Sequence, residues 1–292
     1  DSSSSRGLGD VYKRQSLRQE QRSLLDLSEE GSFDYINSVG VLHHLDQPEA
    51  GLRSLADRLA PSGLLHLFLY ADAGRWEIHR TQKALSLLNA GTGSEGLHLG
   101  RELFETLPEG NRLARHHRER WAVDCAPDAN FADMYLHPQE TSYNLERLFA
   151  FIETAGLHFA GFSNPEVWDP SRLLQGELLE RAQALPPRQQ WELVEQLDPD
   201  ISHFEFFLSA APVERARWSD EALGLARGLV QPCLWGEPDP ILGRNMEPIQ
   251  LTDADRSLLR TVAEQPEQRL GALASPDQIR DLVDRQLLLL QE

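Results

Sequence analysis

Cysteine is scarce in this 292-residue chain, and long apolar runs are missing from it. Cys125 and Cys233 are its two cysteines, and they lie far apart. This spacing argues against a disulfide framework and fits a reducing cytoplasm. No run reaches the ~18 apolar residues that a membrane-spanning helix needs, and no charged-then-apolar signal segment opens the sequence. We therefore predict a cytoplasmic protein without a membrane anchor.

Positive charge is also in short supply. The chain has 28 Lys and Arg against 46 Asp and Glu, a formal net charge of −18. Broad binding to a nucleic-acid backbone usually needs a basic face, so DNA binding is disfavoured. One basic run between Arg112 and Arg120 is the exception. It is either a solvated helix face or a contact for an anionic substrate or partner.

Several well-known catalytic motifs are absent as well. The sequence contains no Walker loop, no nucleophile elbow and no cysteine-rich metal pattern. Its length still allows one large domain or two ordinary ones with ample core. Phosphate-loop nucleotide hydrolysis and triad hydrolysis of the elbow type are therefore not indicated.

What the chain does contain is a strong strand–helix–strand pattern. The segment 33–45 begins with apolar, aromatic and β-branched residues, which favours a strand buried on both faces of a parallel sheet. Asp46 is predicted to cap the next helix, with Glu49 as its capping-box partner. A break at residues 61–63 separates this helix from a second buried strand, 64–70. The predicted apolar face of the helix consists of Leu52, Leu55, Ala56 and Leu59.

These residues carry a resemblance to a known family. Phe-Asp-Tyr-Ile followed by Val-Leu-His-His-Leu, a leucine-faced helix, Leu-Ala-Pro-Ser-Gly and an apolar strand resembles class I S-adenosylmethionine-dependent methyltransferases. The matching parts are their fourth strand, the following helix and their fifth strand, and the resemblance spans about 23–70. By the same resemblance, 157–162 is the sixth strand and 202–209 the antiparallel seventh. The implied fold is an α/β, Rossmann-like sheet in which strands four to seven are identifiable.

Two elements typical of this family are not recognised in the sequence. Such enzymes begin with a strand, a Gly-rich turn and a helix, followed by a second strand that ends in an acidic residue. Neither element precedes Ser23. Residues 10–15 read like one frame of a sequencing-library adapter, so 1–15 is interpreted as non-native, or else as a disordered natural leader. We therefore expect a fragment with the first strands missing, an exposed sheet edge, and poor cofactor binding on its own.

The resemblance implies S-adenosylmethionine as the cofactor and suggests where it binds. Ser23 and Leu24 match the loop that contacts adenine, although a serine replaces the usual acid. The end of the fourth strand faces the methionine part, and the turn residue His43 follows it. His43 and His44 are either ligands or bases, or have structural roles, and no third group has recognisable metal-ligand spacing. No metal is predicted. The strand-end cofactor contacts are Ser38, Val39 and Gly40.

A second set of candidates lies further along the chain. Asp133, Tyr135 and His137 alternate, so on an extended segment they share one side. They offer a carboxylate, a phenol and an imidazole, enough to orient a substrate or remove a proton. The alternative is a hydrogen-bonded edge segment. We name these three as the predicted catalytic residues.

The remaining pattern suggests two domains. A partial methyltransferase domain covers 16–211, with helical insertions at about 77–141, read as a lid, and 165–200. A small, mainly helical domain covers 212–292 and resembles the winged-helix-like tail of some methyltransferases. Its acidity disfavours a role in reading DNA, and a packing or regulatory role is expected.

Together these observations predict a cytoplasmic methyltransferase that uses S-adenosylmethionine and is poorly active as a fragment. The expected methyl acceptor is a protein side chain, a small molecule or RNA, in that order. The alternative is a non-catalytic accessory protein that retained the fold to bind partners.

Overall fold

The computed structural model describes residues 19–26, 31–213, 218–231, 241–242 and 248–291. The chain divides at Val213 into two compact units. The leader predicted for 1–15 and the second cysteine, Cys233, lie outside the described residues. Within the described part, none of the helices combines the length and apolar character needed to cross a membrane.

The first unit is a four-stranded mixed sheet with helices around it. Its strands and helices are β1 (Phe33–Val39), α1 (Pro48–Ala56), β2 (Leu59–Tyr70), α2 (Trp76–Leu87), α3 (Ser94–Thr106), α4 (Arg112–His116), α5 (Asp128–Leu136), α6 (Leu145–Glu153), β3 (His158–Phe162), α7 (Gly176–Gln183), α8 (Pro187–Leu197) and β4 (His203–Ser209).

The order of strands in this sheet is β1-β2-β4-β3. Strand β1 is parallel to β2, whereas β4 is antiparallel to both β2 and β3. The predicted α/β fold, with a parallel crossover and an antiparallel last strand, is confirmed. The carboxyl ends of β1 and β2 consequently meet at one edge of the sheet.

Strand β1 is more exposed than its sequence predicts. Phe33, Tyr35 and Val39 are 44, 55 and 49 % exposed, although a strand buried on both faces was expected. That prediction is wrong because β1 pairs only with β2 among the described strands and forms the edge of the sheet. An apolar pattern shows which residues can be buried, not whether a neighbour covers them. Strand β2, which lies between two strands, has the expected burial at Leu65, Leu67 and Leu69.

Helix α1 differs from its prediction at both ends. Its N-cap is Gln47, with no side-chain cap, so the Asp46 capping prediction is wrong. Pro48 occupies the first turn, where its missing N–H costs nothing. The helix ends at Ala56, and β2 already includes the predicted break at 61–63. At Gly63 a Cβ would lie 2.8 Å from the Phe33 carbonyl oxygen, so glycine lets β1 and β2 approach there.

The first insertion is helical and has its own apolar cluster. Helix α2 begins this insertion, whose predicted helical character is confirmed. Helix α5 includes Asp133 and Tyr135, so the extended segment predicted there is wrong. The physical reason is the four-residue spacing of Phe131 and Tyr135, which places both rings on one helix face in this cluster.

The second unit combines helices with two two-stranded pairings, β5 with β8 and β6 with β7. Its elements are α9 (Asp220–Leu225), β5 (Arg227–Val230), β6 (Ile241–Leu242), β7 (Pro248–Ile249), α10 (Asp253–Glu264), α11 (Pro276–Asp284) and β8 (Leu288–Gln291). Thr252 and Ser275 form capping boxes at α10 and α11, as their positions predict. Most of the leucine run at 287–290 lies in β8, which pairs antiparallel with β5. The winged-helix-like assignment stays a prediction.

Candidate active site

One segment crosses the sheet edge where β1 and β2 end. The Thr141 N–H donates to the His43 carbonyl oxygen at 2.8 Å, and the Tyr143 N–H donates to the Tyr70 carbonyl oxygen at 2.9 Å. The Asp72 N–H in turn donates to the Tyr143 carbonyl oxygen at 2.8 Å. Residues 137–143, called here the crossing segment, are thereby fixed against the ends of both parallel strands. Ligands of open α/β sheets commonly bind at this edge.

The crossing segment brings Glu140 to Arg75 in a buried ion pair. Arg75 Nε and Nη2 donate to the two Glu140 carboxylate oxygens at 2.8 and 2.6 Å. His79 Nε2 lies 3.1 Å from Oε1, and Gln82 Nε2 donates to Oε2 at 3.2 Å. Burial alone would raise the pKa of Glu140, but the hydrogen bonds and positive charge of His79 and Arg75 lower it to about 2. The carboxylate is therefore ionised at neutral pH.

His43 lies beneath this pair and has no exposed surface. Its ring stacks on Tyr70 with 3.9 Å between centroids, and the Arg75 guanidinium lies 3.5 Å from the other ring's centroid. Neither His43 ring nitrogen makes a side-chain hydrogen bond of ordinary geometry within the described part of the chain. Burial and the neighbouring His44 lower the pKa of His43 to about 3, against the opposing field of Glu140. The imidazole is therefore neutral, and it packs against the Tyr70 ring.

His44 points to a different set of partners. Its Nε2 lies 4.0 Å from Asp133 Oδ1, and its ring centroid lies 4.0 Å from that of His137. Its Nδ1 lies 3.1 Å from the Gln139 carbonyl oxygen. Two of the three predicted catalytic residues, Asp133 and His137, therefore come together, and His44 joins them.

The hydroxyl of the third predicted residue has a different partner. Tyr135 is 2 % exposed, and its hydroxyl oxygen lies 2.9 Å from His117 Nδ1. Burial raises the pKa of Tyr135. Helical geometry separates it from Asp133 because residues two apart point in different directions. Tyr135 also contributes to the wall of a cleft that it shares with His137, and its predicted catalytic role stays a prediction.

A cleft of about 560 Å³ borders the buried pair. His79, Glu140 and His137 contribute to its wall, together with Lys83 and residues 89–92 of the loop between α2 and α3. The cleft therefore combines an ionised carboxylate, two imidazoles and an amine. Such a set can hold a polar group and accept a proton from it.

The predicted cofactor contacts lie in two places. Ser38 is buried at the end of β1, and its hydroxyl has no hydrogen-bond partner among the described residues. Gly40 has a φ of +72° with open space where a Cβ would point, and Val39 is exposed. Ser23 and Leu24 line a second cleft of about 510 Å³ beside β1. His43, also predicted, would have to be uncovered before it could touch a ligand.

Three residues of this site were missed by sequence reasoning. No pattern in the sequence singled out Arg75, His79 or Glu140. The signal was weak because 65 residues separate Arg75 from Glu140. Arg75 and Glu140 differ from ordinary surface charges only because they form a buried ion pair with each other. A local sequence pattern does not show whether a charged residue is buried.

Comparisons with known proteins agree with this architecture. A family model described as "Methyltransferase domain" matches residues 9–67. An uncharacterized protein of Synechococcus sp. is 43 % identical over 289 residues, covering 93 % of this chain and 69 % of that protein.

Two solved structures share the fold. They are PKMT2 from Rickettsia typhi in complex with AdoHcy, at TM-score 0.59 and 17 % identity, and PKMT2 from the same organism, at 0.55 and 18 %. Each match covers 93 % of this chain. The chain spans about three fifths of the length of the two solved proteins, 61 % of the first and 60 % of the second. With the matching sheet topology, these findings lead to one assignment. The chain belongs to the class I S-adenosylmethionine-dependent methyltransferase family.

Proposed function

We propose that this protein transfers a methyl group from S-adenosylmethionine to an acceptor held at the carboxyl edge of β1 and β2. The observation that carries the proposal is the position of the buried Arg75–Glu140 pair and its cleft at that edge, in a sheet of this family's topology. The cysteine-poor composition supports a cytoplasmic location.

The residues at the end of β1 fit the cofactor. Ser38 has a buried hydroxyl without a partner among the described residues, and a bound ligand would remove that cost. Gly40 leaves open space beside a backbone with positive φ. Ser23 and Leu24 line the neighbouring cleft and suit the adenine end. When bound, the cofactor supplies a methyl group on a sulfonium, which is displaced in line by the acceptor.

The cleft contains a candidate proton acceptor. An ionised Glu140 accepts a hydrogen bond from His79 Nε2, so the lone pair lies on Nδ1 whenever the imidazole is unprotonated. That nitrogen can take a proton from an amine or hydroxyl acceptor as its bond to the methyl carbon forms. Arg75 keeps Glu140 charged and fixed, so it acts as a positioning residue.

A protein side chain or a small molecule is the favoured acceptor. The cleft volume suits one side chain or a compact molecule. The charge of −18 disfavours RNA, which stays third. Asp133 and His137, predicted from sequence as catalytic, lie next to the cleft wall and can orient the acceptor.

The proposal is tested by calorimetric titration with S-adenosylhomocysteine and by transfer of a labelled methyl group to candidate peptides and small amines. The Synechococcus relative is measured in parallel. We expect both proteins to bind, this chain more weakly, since no Gly-rich turn or ribose-binding acid is recognised in it. Binding and transfer by the relative alone would favour the accessory role for this chain, and failure of both would overturn the proposal.

A matched pair of variants tests the cofactor contact. Ser38→Ala removes the unpartnered hydroxyl, and we expect about 2- to 10-fold weaker binding of S-adenosylhomocysteine, the loss of one hydrogen bond. Ser257→Ala makes the same change on the exposed surface of α10 and should leave binding unaltered. Equal affinity of the two variants would contradict the Ser38 contact.

A further inference from the structure

Three side chains beside the cleft form a cluster that methyl transfer does not require. Ligand atoms of His44, Asp133 and His137 all lie within 4.8 Å of one another. Two imidazoles with one carboxylate are a donor set that first-row divalent metal ions bind well.

The backbone brings these residues together from separate segments. Asp133 and His137 are four residues apart at the end of α5, so they lie on the same side of its last turn. His44 ends a short 3₁₀ turn after β1. The crossing segment holds the two parts in contact through the hydrogen bond from Thr141 to His43. Spacing along the sequence could not reveal this cluster, because its third member comes from another element.

A second observation concerns the orientation of His44. A carbonyl oxygen can only accept, so at 3.1 Å from the Gln139 oxygen it is Nδ1 that carries the proton. When the ring is unprotonated, its lone pair therefore lies on Nε2, the atom closest to Asp133. Metal-binding histidines are commonly fixed in this way, with the other ring nitrogen donating to a backbone carbonyl.

The arrangement places two acceptors face to face. The His44 Nε2 lone pair and the Asp133 carboxylate need a cation between them to become an attractive pair. At 4.0 Å they stand too far apart for a good hydrogen bond. A tetrahedral ion with metal–ligand distances of about 2.0–2.2 Å holds its ligand atoms about 3.3–3.6 Å apart, so the two side chains need to close by only about 0.5 Å to bind one.

We propose that His44, Asp133 and His137 bind a single divalent transition-metal ion of the zinc class. Three protein ligands leave a coordination position for water or for an oxygen of a bound molecule. His137 also lines the cleft, so that position is close to whatever the cleft binds. His137 Nδ1 accepts a hydrogen bond from the Gln139 N–H at 3.2 Å, which is a long contact. Metal binding ends this hydrogen bond in either case, because a metal on Nδ1 uses its lone pair and a metal on Nε2 leaves the ring proton on Nδ1. The inference does not depend on methyl transfer.

The test uses the untagged full chain, stripped of metal and titrated with Zn²⁺ against a competing chromophoric chelator. We expect one ion per chain, and at least about tenfold weaker binding after Asp133→Ala or His137→Ala. Alanine suits the helix at 133, so the first variant should fold normally. The matched control is His98→Ala, which removes an imidazole that is 79 % exposed on α3 and should bind as the wild type does.

A second measurement is made on the wild type alone. Bound Co²⁺ should give visible absorption bands and selectively broaden the NMR signals of His44 and His137. The proposal is overturned if the wild type binds no stoichiometric ion, if both variants bind as tightly as the wild type, or if other histidines are broadened instead.

Discussion

Arg75 and Glu140 form a two-point ion pair across 65 residues of sequence, with side chains only 3 and 5 % exposed. The pair joins the loop after β2 to the crossing segment. Because His79 and Gln82 also bond to Glu140, one carboxylate fixes the first two turns of α2 against the sheet edge. The cleft owes its shape and its charge to this contact.

Removing the charge of Glu140 should destabilise the protein strongly. Glu140→Gln leaves a buried Arg75 guanidinium without its counter-ion, and breaking such a pair typically costs about 3–5 kcal/mol. Urea unfolding measures the change in the free energy of unfolding. The control is Glu177→Gln, which breaks the exposed Arg181 pair on α7 and should cost less than about 1 kcal/mol. Similar losses for the two variants would show that the buried pair is not a major support.

Stability should fall with decreasing pH because of His43. Its pKa is about 3 in the folded chain against 6.5 as the ordinary value, so the unfolded chain binds a proton that the native state does not. The free energy of unfolding then decreases as pH falls below 6.5 towards 3, by up to about 1.4 kcal/mol per pH unit. Denaturant unfolding at pH 6.5 and 4.5 measures the slope. His43→Gln should flatten it and His98→Gln should not, and parallel profiles for wild type and His43→Gln would refute the prediction.

Methyl transfer should depend on His79. Loss of a positioned base typically lowers the rate by about 10²- to 10⁴-fold, so His79→Ala should lose activity while binding of S-adenosylhomocysteine stays nearly constant. The pH–rate profile should change too, with the variant's rate rising with pH as the acceptor loses its own proton. Ser86→Ala removes a polar group from the same cleft wall and serves as the control. An unchanged profile in His79→Ala would rule out the base.

Gly74 should not tolerate a side chain. A Cβ there would lie 2.5 Å from the Ile201 carbonyl carbon and oxygen, and the Gly74 N–H donates to that oxygen at 2.8 Å. Gly74→Ala must push two backbones apart, which we expect to cost about 1–3 kcal/mol. Gly110→Ala meets nothing within 4 Å and is the control. The midpoints of urea unfolding, compared at equal m-values, measure the stability of the two variants. The prediction fails if the two variants are equally stable.

Elements with a clear local pattern were predictable. Strand β4, the C-terminal part of β2, helix α2 and the capping boxes of α10 and α11 lie where the residues place them. Each depends on neighbours two to four residues away, and the sequence displays those neighbours directly. The family resemblance then supplied the antiparallel direction of β4.

Elements whose state depends on distant neighbours were not predictable. The apolar residues of β1 look the same in sequence whether the strand is central or at an edge, and α5 alternates polar groups in a way that mimics a strand. In α5 the burial of Phe131 and Tyr135 in the cluster of the insertion outweighs that local signal.

The sequence by itself determined the family, the class of sheet and the residues at the ends of its strands, because strand and helix periodicity is written in near neighbours. Only the tertiary structure decided that Arg75 meets Glu140 and that His44 meets Asp133 and His137. These groups become neighbours when the crossing segment hydrogen-bonds to the ends of β1 and β2, and no local pattern records which distant backbone groups will pair.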